Sequence, residues 1–419
     1  MSRLGDDCFA YGGRRLAVRE ALALLRERVI AVVGSERVAL AAAGGRCLAE
    51  PLVAARDVPA FDNGAVDGWA FAHEPRMATA RVRLPVVPGR AAAGHPFREP
   101  LPPGTCLRLL TGAPMPAGAD TVVLQEEAEL QDDAVLLPAG VRPGANRRRA
   151  GEDIRAGSTV VPAGTRLLPQ HVGVAAALGL GTVAVFRELR VAVLSSGDEL
   201  VEPGAELPLG GVYDANRPIL RALLRGLPAV VDDLGIVPDD PARVRDVLRQ
   251  AAGAYDALVT SGGASRGDED HVVRSVGELG RLHFWQIAMK PGRPLAFGQL
   301  GDCIHIGLPG NPVAVMVCFL RFARPVLLAL AGAAWPEPSS FPVRADFALT
   351  RKPGRAELVR AALERRPDSL WARKIRREGS GILTSLVEAD GLVELDEEHP
   401  AVAVGDTVPF YPFAELGLG

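Results

Sequence analysis

From about Glu188 onward the chain repeats one pattern: a short, mostly apolar run, a glycine-bearing turn, then an amphipathic stretch. The apolar runs are LRVAVLSS, AVVDDLGIV, DALVTSGG, LHFWQIAM, PLAFGQL and CIHIGLPG. Between them lie helical patterns at Arg217–Leu224, Pro241–Ala252, Glu269–Leu279 and Pro312–Leu330. A strand apolar along its length must be covered on both faces, so the alternation predicts a mostly parallel sheet in an α/β layer arrangement. Ligands of such sheets sit at the carboxyl ends of the strands. Asp240-Pro241 and Asn311-Pro312 each place a capping side chain before a proline at the first helical position.

The rest of the chain has a different texture. Val18, Leu22, Leu25 and Val29 recur at helical spacing, and a second short helix is expected around Val38 to Cys47, ending in Gly44-Gly45. From Pro51 to about Arg155, short β-prone runs (RVRLPVVPG, TCLRLL, DTVVLQEEAEL, DAVLLPAGV) alternate with Pro and Gly, which predicts a β-rich domain. AAWPEPSSFP reads as a linker, and Val343 to Phe413 as a second small β-domain or barrel. The fold class is therefore multidomain α/β plus β.

At 419 residues, 48% hydrophobic and 23% charged, the chain is globular and too long for one ordinary core. A formal net charge of -3 gives no general attraction to nucleic acid or anionic membrane, so an anionic substrate must be held by local cations and backbone N–H groups. The amino terminus lacks a signal-peptide pattern, and Val313 to Leu330 is interrupted by Arg321, Arg324 and Pro325, which predicts a buried helix. The five cysteines are scattered without CxxC, and the histidines lack HExxH or HxH spacing, so soft protein ligands for a metal are not indicated. Cys318, in an apolar helix, is expected as a small buried hydrophobe.

Three glycine-rich turns follow strands of the α/β region: SSGDEL at 195–200, TSGGASRGDED at 260–270 and GLPGNP at 307–312. Glycine lets backbone approach a ligand, and N–H groups at a helix start favour an anion. Singly each turn is an ordinary connection; together, on one edge of one sheet, they make a phosphate cradle. The same turns carry Asp198, Glu199, Asp268, Glu269 and Asp270, with Asp239 at the end of GIVPDD, and hard oxygens beside phosphates are what Mg²⁺ requires. Asp268 either caps a helix or binds metal; Asp270, further in, favours metal. Lys290 and Arg293 in MKPGRP sit on a proline-stiffened loop, which suits an oxyanion clamp over a solvated charge pair.

FDNGAVDGWA, LLTGAPMPAGAD, GEDI, SSGDEL, SGGASRGDED, MKPGRP and LPGNPVAVM, in this order, with GSGILTSL and ADGLVEL further on, resemble the MoeA-type molybdopterin molybdenumtransferases and the gephyrin E domain. The resemblance runs from about residue 15 to 413. It implies a cytoplasmic homodimeric transferase of molybdenum cofactor biosynthesis. The substrates would be adenylylated molybdopterin and molybdate, with Mg²⁺ needed and AMP released. It further implies a discontinuous linker domain (15–55 and 156–187), a β-rich domain (56–155), an α/β molybdopterin-binding domain of MogA-like type (188–332) and a C-terminal β-barrel (340–415). The cleft would form between subunits, and the metallated cofactor would pass to molybdoenzymes or their chaperones.

By motif match, the resemblance places Mg²⁺ on Asp239 and Asp270, with Glu199 near the pterin or the metal. Gly197, Ser261, Gly262, Gly263 and Ser265 would line the phosphate site, and Pro309, Gly310, Asn311 and Pro312 its floor. Lys290 and Arg293 would hold oxyanions. Asp62, Thr111 and Asp153 would come from the partner subunit. Arg355 or Arg360, with Ser380, would supply molybdate contacts. The dithiolene sulfurs belong to the substrate, so no Cys or His cluster is needed for molybdenum. Against the usual pattern, Gly64 replaces a serine, Val66 a methionine, Trp69 a tyrosine, Arg293 a lysine and Ala314 a serine, while Gln286 stands where some members carry a basic residue. None removes an assigned carboxylate. The competing readings are a non-catalytic scaffold and a pterin adenylyltransferase using ATP.

Overall fold

The apolar runs become the strands of a six-stranded sheet, in the order Ala229–Val237, Leu189–Ser196, Ala257–Ser261, Cys303–Leu308, Pro294–Leu300, Arg281–Gln286. The computed structural model describes residues 15–262, 271–292, 294–398 and 400–418. The first four strands pair in parallel; the last two add on antiparallel, so the sheet is mixed at one edge. Side chains alternate across the sheet. Leu189, Val191 and Val193 pack with Leu220, Leu224 and the core helix on one face, whereas Ala192 and Leu194 pack with Val244, Leu248 and Val272 on the other. Covering both faces is what allowed these strands to be apolar throughout.

The helices fall at Asn216–Leu224, Pro241–Ala254 and His271–Leu279, close to the expected positions. Asp240 caps as expected, its side chain accepting from the N–H groups of Ala242 and Arg243. Asn311 does not. There the carbonyl of Ser380 takes the N–H of Val313 at 2.9 Å, so the barrel supplies the cap and the Asn311 side chain is left to face elsewhere. The stretch Pro312–Leu330 is long and apolar enough by composition to cross a membrane, yet it is a core helix, 89% buried. A π turn at Phe319–Ala323 interrupts it, and within that turn Arg321 pairs with Glu394 at 2.8 Å and lies over the Tyr411 ring. The second N-terminal helix is not formed: Ser35–Ala39 is a strand, followed by a single 3₁₀ turn at Leu40–Ala42. Strand pairing with Thr182–Phe186 outcompetes the weak local helical signal.

The chain divides into two compact units. The described parts of Met1–Glu50, Ala163–Leu168 and Val183–Gly419 form the first, and Pro51–Pro162 with Pro169–Thr182 the second. Within the first unit, beyond the linker, five strands close on themselves: Ala356–Arg365, Leu370–Lys374, Phe341–Ala345, Thr407–Pro412, Gly391–Leu395 and back to Ala356–Arg365. This is the expected barrel, filled by Val343, Val359, Ala361, Val393 and Phe410. Met289–Lys290 pairs in parallel with Ala356–Glu357, which stitches the MKPGRP loop to the barrel wall. The second unit is built on a six-stranded sheet whose strands run from Gly68–Phe71 to Ala134–Leu137 in sequence, as its β-prone runs foretold.

Candidate functional site

Parallel register brings the turns together. Ser195 lies opposite Ser261, and Ser261 opposite Leu308, so SSGDEL, Ser261-Gly262 and GLPGNP leave the sheet on one edge. Gly262 has φ +82°, and a Cβ there would lie 3.0 Å from the Ser196 carbonyl; the close approach of the first two turns therefore needs glycine. The loop at Gly310 is pinned by the Asn216 amide, which donates to the Gly310 carbonyl at 2.6 Å. Gly197 makes room for a carboxylate: any Cβ would sit 2.6 Å from Glu199 Oε2, so the glutamate folds back over its own turn. Asp239 accepts from the Ser196 hydroxyl at 2.7 Å, and its N–H donates to Asp198 at 3.0 Å. Gly263, Ser265, Asp268, Glu269, Asp270 and Arg293 lie outside the described residues.

Between this sheet edge and the barrel lies a cavity of about 630 Å³. Of the residues singled out from sequence, Gly262, Lys290, Pro309, Gly310, Asn311, Arg360 and Ser380 line it, whereas Gly197, Glu199, Asp239, Ser261 and Pro312 do not. Arg355 does not; with Arg15 and Ile287 it lines a smaller depression that adjoins the cavity and shares Lys290, Pro291 and Gly292 with it. Of the two arginines, Arg360 is the one that lines the larger cavity. Arg360 is buried, 9% exposed, and its Nη2 makes only long bonds to the carbonyls of Arg377 (3.3 Å) and Gly379 (3.4 Å). Its Nε has no hydrogen-bond partner, and no carboxylate forms an ion pair with it among the described residues. Burial holds its pKa below the ordinary arginine value, with the Glu378 charge acting the other way. A guanidinium kept charged in such a place is poised for an anion.

Lys290, expected as part of an oxyanion clamp, carries a carboxylate partner. Its Nζ pairs with Glu357 at 2.7 Å across the strand stitch, so an incoming anion meets a lysine already held by a carboxylate. Lys374, paired with Glu378, also faces the cavity. Sequence reading missed Glu357, Lys374 and Glu378. The basic run RKIRRE just before GSG was the available signal, but only barrel closure tells which of its members turns inward.

Cys318 packs beneath the MKPGRP loop: a Cβ on Gly292 would lie 2.3 Å from its Sγ, and burial pushes its thiol up to about 12. It is the inert filler expected.

Asp62, Thr111 and Asp153 lie in the second unit. Asp62 pairs with Arg147 at 2.7 Å and accepts the Ala150 N–H at 2.7 Å, while the Asp153 N–H donates to the Val58 carbonyl. Thr111 sends both its N–H and its hydroxyl to Asp67 Oδ1, each at 2.7 Å. These bonds hold the Asp67 carboxyl below the usual carboxylate range. Asp67 was not singled out from sequence, although FDNGAVDGWA contains it. Gly64 has a packing reason: a Cβ would meet Leu109 Cδ2 at 2.1 Å. Gly64→Ser is expected to cost about 1–2 kcal/mol by overpacking, and adding Leu109→Val should restore most of it; chemical denaturation of both variants checks this.

Three family descriptions match the chain in succession. They are the MoeA N-terminal region (domain I and II) over 16–179, a probable molybdopterin binding domain over 192–329, and the MoeA C-terminal region (domain IV) over 342–413. A molybdopterin molybdenumtransferase of Haemophilus influenzae is 34% identical over 405 residues, covering 96% of this chain and 99% of that one. One from Nostoc is 38% identical over 307 residues, covering 72% and 70%. The crystal structure of a molybdopterin biosynthesis moeA protein from Pyrococcus horikoshii OT3 superposes with a TM-score of 0.82 at 29% identity, covering 95% of this chain and all of that one. Fold, cavity and matches together define a multidomain transferase with a molybdopterin-type α/β domain and a closed barrel beside it. The chain belongs to the MoeA family of molybdopterin molybdenumtransferases.

Proposed function

We propose that this chain inserts molybdate into the dithiolene of adenylylated molybdopterin and releases AMP, working as a cytoplasmic homodimer whose metallated product passes to molybdoenzymes or their chaperones. The observation that carries the reading is Arg360: a buried guanidinium, with no paired carboxylate among the described residues, facing a cavity at the carboxyl edge of a parallel sheet. The names of the relatives, molybdopterin molybdenumtransferase, support it.

In this reading the turns at 195–199 and 309–312 and the backbone at Ser261-Gly262 receive the phosphates with main-chain N–H groups, since three strands end there in register. Arg360 and Lys290, with Ser380, hold the molybdate oxygens, and the barrel wall covers that end of the cavity. Glu357 keeps Lys290 in place until an anion takes its charge. Asp62, Thr111 and Asp153 of the partner subunit complete the cleft. Arg293, Gly263 and Ser265 act with these groups by motif.

Asp198, Glu199 and Asp239 are hard oxygen donors of the kind Mg²⁺ takes, although no group of three such side chains able to hold an ion stands together among the described residues. Asp239 and Asp270 would hold the ion, which when bound neutralises charge building on the phosphoanhydride. Asp239→Asn should raise the Mg²⁺ needed for half-maximal turnover by about tenfold, the scale of a weakened carboxylate ligand shell.

The direct assay incubates the purified protein with adenylylated molybdopterin, Mg²⁺ and molybdate and follows AMP. Molybdate-dependent release is expected. None above background favours a scaffold, and ATP consumption with metal-free pterin favours an adenylyltransferase.

A further inference from the structure

Lys374 ends the barrel strand Leu370–Lys374 with its side chain 18% exposed, and it pairs with Glu378 four residues on. Both line the cavity beside Arg360 and Lys290. The hydrogen bond from Lys374 holds the Glu378 carboxyl below the usual carboxylate range; partial burial opposes this, and the charges of Lys374, Lys290 and Arg360 add to it. One carboxylate thus stands among three cations of a cavity read as an oxyanion site.

The cavity's other carboxylate differs in a way that matters. Glu357 is buried, 7% exposed, and fixed in the barrel by strand pairing opposite Leu395. Glu378 lies outside the strands, between Lys374 and Gly379, with its side chain 56% exposed. Swinging into water costs Glu378 little, whereas Glu357 has nowhere to go.

We propose that Glu378 is a resident competitor of the oxyanion: it covers Lys374 while the cavity is empty, leaves when an anion enters, and so sets the affinity threshold of the pocket. This rests on reading the cavity as an oxyanion site. Displacement has a signature that fixed repulsion lacks. Removing a competitor strengthens every anion by one common factor, because the same ion pair no longer has to break. Removing a fixed negative charge strengthens a dianion more than a monoanion, because repulsion scales with ligand charge.

The test is titration calorimetry of the full-length protein with molybdate, and with nitrate by competition, at constant ionic strength. Glu378→Gln should bind molybdate about two- to fivefold tighter, the range an exposed ion pair commands. Nitrate should tighten by the same factor. Lys374→Met should weaken molybdate. Unchanged or weaker molybdate binding by Glu378→Gln overturns the proposal and makes Glu378 a support for Lys374. A gain for molybdate without one for nitrate overturns it in favour of simple repulsion. If the wild-type protein binds no molybdate and Arg360→Gln changes nothing, the oxyanion reading itself falls, and this inference with it. If the wild type binds and only Glu378→Gln fails, that reading stands alone.

Discussion

Arg360→Gln is expected to lower molybdate-dependent AMP release by about 10²–10³-fold, the cost of losing a preorganised donor aimed at anionic charge in a water-poor site. The effect should be large because Arg360 is buried and the cavity offers no second guanidinium among the described residues. The fold should survive. The lost contacts are only two long bonds to loop carbonyls, 3.3 and 3.4 Å, and glutamine keeps an amide donor at the depth of the Arg360 Nε. Excess molybdate should recover part of the rate, since binding is weakened while the pterin site is untouched. Initial rates across molybdate concentrations, with a melting temperature for each protein, check both halves. A variant with wild-type rates at low molybdate places the anion elsewhere.

The second large effect concerns pH. His305 lies on a central strand with no solvent exposure, its Nε2 3.1 Å from Thr260 Oγ1 and its Nδ1 without a hydrogen-bond partner. Burial pushes its pKa down from 6.5 to about 4. The folded state therefore resists a proton that the unfolded chain takes up as pH falls through 6.5. Between there and about 4 the unfolded state binds more protons, so stability is present at neutral pH and is lost on acidification. The contribution approaches about 3 kcal/mol at full effect, from a shift of two to three pH units. Denaturant unfolding of the wild type should weaken across this window by that amount beyond what His305→Gln shows, because glutamine bonds Thr260 without titrating. Parallel pH profiles for the two proteins would remove His305 from the account.

How much of this was legible in the sequence depends on range. The turns at 195–200, 260–262 and 307–312 can be placed together from the chain's alternation alone, because strands and helices in that order force a parallel sheet whose strand ends share an edge. The buried thiol of Cys318 and the Asp240 cap follow from local pattern, and both are as expected. What failed depended on distant partners. Asn311 carries a strong capping signal, yet Ser380, about seventy residues later, supplies the carbonyl instead. The Glu357 partner of Lys290 could not be read locally, because barrel closure brings it there from 67 residues away. The predicted helix at Val38 to Cys47 gave way to pairing with Thr182–Phe186, which no local window contains. Arg355 and Arg360 look alike in GRAELVRA, and only the position of the cavity separates them.

The most direct measurement is diffraction at the molybdenum absorption edge from crystals equilibrated with molybdate. An anomalous peak is expected inside the cavity, in contact with Arg360 and Ser380 and within reach of Lys290. A saturated crystal with that cavity empty, and the molybdenum bound at another place on the chain, would contradict it.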